Sequence, residues 1–181
     1  MIGVYDFCGY YEWTFAWLEA QGGEELLEAY WDEAIHQDSQ SHAARLIINN
    51  GLDGMKEYWG HTLAEEQAGY TSSLTDDTFR IDMTDCPSKG FLIRNNLEQH
   101  RDYCNHCIGW IGPMMDNAGY TTAHEHNHCG QCWWEFRKKS QLAPEGVSEE
   151  PPADNLLPET DVRNSDNWRR TLDKTHSFKR K

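Results

Sequence analysis

The sequence predicts an α+β protein in which an N-terminal helical region precedes a small mixed strand–helix–strand–strand unit. Over the first 70 positions, apolar side chains recur every three or four residues, which is typical of helices with one buried face. From about residue 74 the apolar period changes to two, as in half-buried strands. The chain has 181 residues, 38% of them hydrophobic, which is enough material for one sizeable core.

Four helices are predicted in the helical region. Glycine and asparagine end two of them, at Gly22-Gly23 and at Asn50-Gly51, because these residues tolerate the conformations that stop a helix. Asp38–Ser41 supplies breaking and capping residues before the third helix. The four apolar stripes lie at Val4–Leu18, Leu26–Ile35, Leu46–Ile48 and Leu52–Leu63, and the last helix stops near Gly69.

The second half of the domain begins with an alternating segment. Thr78–Met83 alternates apolar and polar residues and predicts a strand, which ends at Cys86-Pro87 because proline stops further pairing. A short helix is predicted at Phe91–Leu97, and a longer one, capped by Asp102, carries Tyr103 to Met115. Two strands joined around Gly130-Gln131 complete the unit, at Tyr120–Asn127 and Cys132–Arg137.

The charge is unevenly distributed and suggests how the chain is organised. Residues 1–70 hold 13 acidic and 2 basic residues, and 161–181 hold seven basic and three acidic ones. We expect one α+β domain at 1–140, with a Cys/His-rich part at 71–140, followed by an extended, Pro-rich and charged tail at 141–181. The tail has few large apolar residues, so it builds no core of its own. We expect it to wrap a second copy of the chain, which makes the protein a homo-oligomer. The alternative is a flexible tail that only aids solubility.

Composition also disfavours several classes of protein. A formal net charge of −14 repels phosphate backbones and anionic lipids, so no nucleic-acid or membrane partner is expected. No apolar run approaches the roughly 18 residues of a transmembrane helix. The N-terminus lacks the basic and apolar segments of a signal peptide, so we expect a cytoplasmic protein. Phosphate loops and serine-hydrolase elbows are absent from the sequence.

Two Cys-x-x-Cys pairs predict a metal site. The pairs Cys104–Cys107 and Cys129–Cys132 are separated by 21 residues, just beyond the usual spacing of a zinc ribbon. The metal would be zinc or iron. The alternative for the first pair is burial on a helical stripe, since cysteine packs as a small hydrophobe. The candidate metal ligands are Cys104, Cys107, His124, His128, Cys129 and Cys132.

The histidines of the hairpin are predicted to face away from its cysteines. With a two-residue loop at Gly130-Gln131, Cys129 lies opposite Cys132. The three histidines at 124, 126 and 128 then share the other face, with Glu135 placed to orient His126. The histidines and the hairpin cysteines would therefore not share one metal unless the hairpin is bulged. The alternative for the histidines is a solvated strand face.

Cys86 is the candidate nucleophile. It lies between a strand and a helix start, where the helix dipole and Lys89 would lower the pKa of the thiol. The alternative is a half-buried cysteine in a turn. Cys8, by contrast, lies on an apolar helical stripe and is predicted to be a core residue.

Part of the chain resembles a known family of hydrolases. Phe79–Pro87, followed by Tyr103-Cys104, Gly119-Tyr120 and Gly130–Phe136, resembles the L-2-amino-thiazoline-4-carboxylic acid hydrolase-like proteins over roughly residues 78–137. The resemblance implies hydrolysis of a C–N bond in a small cyclic amidine-like acid. The positions that match the pattern include Cys86, Cys104 and Cys132.

The sequence is compatible with two chemical routes and with one competing class of protein. In the first route, Cys86 attacks the amidine carbon while His106 or His126 transfers protons. In the second, a metal held by the Cys/His cluster activates a water molecule. The competing class is a non-catalytic module with a structural zinc, or an accessory subunit of a larger enzyme, in which four thiolates would leave no open position on the metal.

Overall fold

The computed structural model of the protein describes residues 4–33, 40–97, 99–100, 103–127 and 130–139, with only the backbone for 4–6. It confirms the predicted α+β class. The elements are α1 (Val4–Ala29), α2 (Ser41–Glu65), β1 (Gly69–Leu74), β2 (Thr78–Asp85), α3 (Lys89–Arg94), α4 (Asn105–Asn117), β3 (Tyr120–His126) and β4 (Cys132–Lys138). In the described part of the chain, no helix is long and apolar enough to cross a membrane.

Glycines break both long helices where the sequence predicts helix ends. Gly23 interrupts α1 with φ 77° and ψ −169°, and Gly51 interrupts α2 with φ 64° and ψ −136°. A side chain is strained at such positive φ values, whereas glycine adopts them readily. Each long helix therefore consists of two shorter helical segments, which confirms the predicted breaks. The predicted helical and capping residues at 34–39 lie outside the described residues.

The four strands form one antiparallel sheet in the order β1-β2-β4-β3. The prediction of three strands is wrong, because β1 was missed. This strand pairs only with β2, at the edge of the sheet, and its central residues Thr71–Ser73 are exposed. An edge strand with a polar, solvated middle has no alternating apolar pattern, so periodicity did not reveal it.

The β3–β4 hairpin has a longer loop than predicted. His126 pairs with Cys132 and His124 with Trp134, so residues 127–131 form the connection. Asn127 and Gln131 close it: the Asn127 side-chain amide donates to Gln131 Oε1 at 2.7 Å, and the Gln131 N–H donates to Asn127 Oδ1 at 3.2 Å. These reciprocal bonds make a five-residue loop from a segment that resembles a two-residue turn.

The longer loop reverses the predicted distribution of side chains between the two faces. Cys132 pairs with His126 instead of Cys129, which is a shift of three positions along β3. A shift by an odd number of residues moves the side chains of one strand to the opposite face relative to those of its partner. His124 and His126 therefore share the face of Cys132, which contradicts their predicted separation. Glu135 pairs with Ala123 instead of His126, so it does not orient that ring. His128 and Cys129 lie outside the described residues.

Helices α2 and α4 cover one face of the sheet and form the main core. Phe79, Ile81 and Phe136 on this face are almost fully buried. Trp59 of α2 stacks on Phe136, with ring centroids 4.9 Å apart. Burying one such phenylalanine contributes about 2–3 kcal/mol of transfer free energy. A second cluster joins α1 and α3, with Phe15 at its centre.

The helices of the second half start close to their predicted positions. α3 begins at Lys89 instead of Phe91, and α4 begins at Asn105, directly after Cys104. The predicted cap, Asp102, lies outside the described residues.

The turn after β2 is held against the β3–β4 loop. The Cys86 N–H donates to the Gly130 carbonyl at 2.9 Å. Gly130 has φ 79°, and a Cβ placed on it would lie 3.3 Å from the Gly90 nitrogen. The positive φ and the close approach of the two backbones together favour glycine at this point.

We expect Gly130→Ala to destabilise the protein more than Gly119→Ala. Both positions have positive φ, but a Cβ at Gly119 meets no atom within 4 Å. Gly119→Ala then costs about 1 kcal/mol of backbone strain, while Gly130→Ala adds the steric conflict with Gly90. Urea denaturation of both variants measures the difference. Equal losses of unfolding free energy would show that the turn and the loop are not in close contact.

Candidate functional site

A cavity of about 340 Å³ lies between the helices and the sheet. Four cysteines line it, each from a different part of the chain: Cys8 from α1, Cys86 from the β2–α3 turn, Cys107 from α4 and Cys132 from β4. We call this space the cysteine cavity. Its volume is typical of a site for a small molecule.

The remaining wall of the cysteine cavity is mainly aromatic. Rings contributed by both long helices, α4 and β4 surround the space: Tyr11, Tyr58, Trp59, Trp110, Trp134 and Phe136. Polar lining groups include Ser88, His106 and Glu66. An apolar enclosure with a few polar groups is the usual composition of a binding site for an organic ligand.

Cys86 has its sulfur among backbone N–H groups. The Lys89 N–H donates to Cys86 Sγ at 3.3 Å, and the Ser88 and Gly90 N–H groups also favour a thiolate there. Burial nevertheless raises the pKa of the Cys86 thiol, because dehydration of the charged form outweighs these bonds. The prediction of a lowered pKa is therefore wrong. Cys86 is a neutral thiol at rest, and its ionisation requires a base.

Lys89 provides a buried amine beside this turn. Its side chain is 2% exposed, and its Nζ lies 5.7 Å from the centre of the Tyr103 ring. Burial lowers the pKa of Lys89, and the opposing influences are charge interactions with Cys104, Cys86 and Glu12. A lysine of lowered pKa has more of the neutral amine that can accept a proton.

His106 and Cys107 form a neutral pair at the cavity wall. Since the Tyr103 carbonyl can only accept, His106 Nδ1 carries the proton that bonds to it, and Nε2 is the acceptor. Cys107 Sγ lies 3.4 Å from this Nε2 and donates to it. Burial lowers the pKa of His106 to about 4 and raises that of Cys107 well above the usual range. The pair therefore stays uncharged near neutral pH.

Cys8 is both a core residue, as predicted, and part of the cavity wall. It is 7% exposed and packs in the cluster of α1 and α3. The Ser88 and Tyr103 hydroxyls lie 2.6 Å apart, and Tyr103 also donates to the Cys8 carbonyl at 3.5 Å. Burial raises the pKa of the Cys8 thiol, with a weaker opposing bond from Ser88. These contacts fix α1 to the turn that carries Cys86.

Glu66, directly after α2, places a carboxyl group in the wall. Burial raises its pKa. Burial is the main cause of the raised pKa values of Cys8, Tyr11, Cys86 and Cys107, and the negative charge of Glu66 makes a smaller contribution in the same direction at each. Glu66 is not among the residues predicted from the sequence. The signal was its spacing of four and eight residues from Thr62 and Tyr58, which places all three on one helical face.

The predicted metal ligands are only partly brought together. Cys107 and Cys132 line the cavity, and Cys104 lies close enough to influence the ionisation of both. Burial raises the pKa of Cys104 to about 12. Within the described ranges, no three His, Cys, Asp or Glu side chains are arranged to hold a metal ion. The described residues alone therefore do not fit zinc or iron, and we derive no step through a metal.

His124 and His126 lie outside the cavity wall. His124 stacks on Trp134 with ring centroids 3.7 Å apart, and its Nδ1 bonds to the Trp133 carbonyl at 2.9 Å. His126 stacks on His124 at 5.5 Å. Of the three predicted catalytic residues, Cys86 and His106 line the cavity and His126 does not. The structure thus gives no support to proton transfer by His126.

Comparison with known proteins leaves the chain without an assigned family. No family model, curated protein or solved structure matches it. The resemblance to amino-thiazoline carboxylic acid hydrolase-like proteins stays a prediction, and the function has to be argued from the cavity itself.

We expect His106→Asn to make the protein less sensitive to acid. An exposed histidine has a pKa of about 6.5, and folded His106 has one of about 4. Between these values only the unfolded state binds the proton, so folding stability falls as the pH falls. The difference is worth about 3 kcal/mol, and the asparagine variant should lose that much less between pH 7 and pH 4.

Urea denaturation across this pH range measures the effect. His61→Asn is the matched control, because the His61 side chain is 72% exposed and its loss should leave the acid dependence unchanged. Parallel pH profiles of the His106 variant and the unchanged protein would contradict a neutral, buried His106.

Proposed function

We propose that the protein is a cysteine hydrolase that cleaves a C–N bond of a small molecule in the cysteine cavity, with Cys86 as the nucleophile. One observation carries the proposal: a thiol in the wall of an apolar cavity accepts a backbone N–H at 3.3 Å and lies beside a buried lysine. A nucleophile, donors that stabilise its anion and a nearby base are the parts that covalent catalysis needs.

The first half of the reaction forms a bond between sulfur and carbon. The Lys89 amine takes the proton of the Cys86 thiol, and backbone N–H groups of the turn stabilise the thiolate. The sulfur then attacks the amide or amidine carbon, and the C=O or C=N π electrons move onto oxygen or nitrogen. When this tetrahedral intermediate collapses, the C–N bond breaks and the leaving amine takes the proton from Lys89.

The second half restores the thiol. A water molecule attacks the thioester or thioimidate carbon and gives its proton to the Lys89 amine. The C–S bond then breaks, and the proton returns to Cys86. The sum is one water consumed for each C–N bond cleaved, and no external oxidant or reductant is needed.

His106 has a different part in this proposal from the one the sequence predicts. Its Nε2 accepts from Cys107, and its low pKa makes it a weak base. Lys89 is the better acceptor for the Cys86 proton, because burial lowers its pKa and its charge interacts with those of Cys104 and Cys86. His106 instead holds Cys107 in its neutral form at the wall.

The proposed setting is the cytoplasm. All five cysteines in the described ranges are free thiols, as in a reducing compartment. The predicted homo-oligomer depends on residues 141–181, which lie outside the described residues, and it stays a prediction.

We expect iodoacetamide to alkylate Cys86 before Cys8, and Lys89→Met to slow this reaction. The thiolate is the reactive form. Loss of the buried amine removes the group that accepts the thiol proton and then balances the negative charge of the thiolate. Loss of a general base lowers a rate by about 100-fold. Peptide mapping against time at pH 8 gives the rate at each cysteine.

The exposed Lys138 supplies the matched control. Lys138→Met removes one positive charge from the surface and should leave the Cys86 rate unchanged. The proposal fails if Cys8 or Cys107 reacts first, or if both lysine variants behave like the unchanged protein.

A further inference from the structure

We propose that the cysteine cavity selects an organic cation, a ligand with an apolar body and one positively charged nitrogen held by Glu66. This inference rests on the proposed function, which places the reacting carbon of the substrate at Cys86. It adds that the substrate carries a positive charge.

The described residues that line the cavity carry a net negative charge. Among the described residues that form the wall, Glu66 is the one with a formal charge, since His106 is neutral near pH 7. Lys89 is not among the described residues that form the wall, and burial lowers its pKa, which favours the uncharged amine. A ligand in this space therefore meets a carboxylate, whose attraction is strengthened by the apolar surroundings.

The aromatic rings favour the same kind of ligand. Tyr58 lies on the helical face that leads to Glu66, and Tyr11, Trp59 and Trp110 line the same cavity. The face of an aromatic ring attracts a cation, with indole the strongest. The Tyr58 hydroxyl donates to Gln40 Oε1 at 2.8 Å, which fixes the orientation of its ring. A carboxylate and aromatic rings in the wall of one cavity are a typical combination for binding an ammonium group.

The charge of the wall also argues against an acid as the ligand. Hydrolases of the resembled family imply a carboxylate on the substrate, which would need positively charged or donor groups in the wall. Glu66 is a carboxylate in the wall of the same cavity, and it would repel such a group. We therefore infer that this cavity binds a basic substrate, unlike the acidic substrate that the resemblance implies.

The size of the cavity sets the size of the ligand. About 340 Å³ accommodates a single ring with a short substituent. The ring would occupy the aromatic part of the wall, and the charged nitrogen would lie at Glu66. The bond to be cleaved would then face Cys86.

Binding of three matched probes to the full-length Cys86→Ala protein tests the inference. Benzylamine is a cation, benzyl alcohol its neutral counterpart and benzoate an anion of the same size. Trp59, Trp110 and Trp134 line the cavity, so tryptophan fluorescence reports occupancy. We expect benzylamine to bind about tenfold more tightly than benzyl alcohol, as a charge-assisted hydrogen bond provides, and benzoate to bind least.

Two variants at neighbouring positions separate Glu66 from general charge. Glu66→Gln should abolish the preference for benzylamine while benzyl alcohol binds as before, which also shows that the variant is folded. Glu65→Gln removes a carboxylate whose side chain is 70% exposed and pairs with His61, and it should keep the preference. If Glu66→Gln does not fold, the ranking of the three probes on the Cys86→Ala protein decides alone.

Two outcomes would overturn the inference: benzoate binding as tightly as benzylamine, or Glu66→Gln retaining the full preference. Neither outcome depends on Cys86, because the binding protein lacks that thiol. Conversely, a failure of Cys86 to react with iodoacetamide would refute the hydrolase proposal and leave the probe ranking intact. The two proposals therefore fail separately.

Discussion

The arrangement of the candidate site depends on one backbone hydrogen bond, from the Cys86 N–H to the Gly130 carbonyl at 2.9 Å. It fastens the turn after β2 to the loop between β3 and β4, where a Cβ on Gly130 would lie 3.3 Å from the Gly90 nitrogen. Because β4 pairs with β2, the two segments that meet here start from adjacent strands. The contact brings the turn sulfur and Cys132 to the same cavity.

Burial gives these thiols an unusual character. The pKa values of Cys86, Cys107 and Cys132 are all raised, since dehydration disfavours the thiolate more than nearby donors favour it. These thiols stay protonated, and therefore weakly nucleophilic, until a base and a bound substrate are present. The lowered pKa of Lys89 has the same cause, and it supplies that base within the same buried region. One physical effect, the exclusion of water, thus prepares both the nucleophile and its activator.

Local chemistry explains which features the sequence predicts. Gly23 and Gly51 break the helices because their conformations exclude other residues, and Cys86 follows a strand that its alternation reveals. The hairpin register was mispredicted, because the Asn127 side chain builds a longer loop that no pattern of hydrophobicity encodes. Glu66 was missed because its role comes from residues far away in sequence that α1 and α4 bring to it. Local signals locate elements, whereas the site arises from their packing.

The most direct test of the account is a crystal structure of the protein after reaction with an electron-poor aromatic nitrile, which traps a cysteine nucleophile as a thioimidate. The account predicts a bond between the nitrile carbon and Cys86 Sγ, with the aromatic ring inside the cysteine cavity against Trp59 or Trp134. A bond to Cys107 or Cys132, or a ring outside the cavity, would contradict the assignment of Cys86 as the nucleophile of this site.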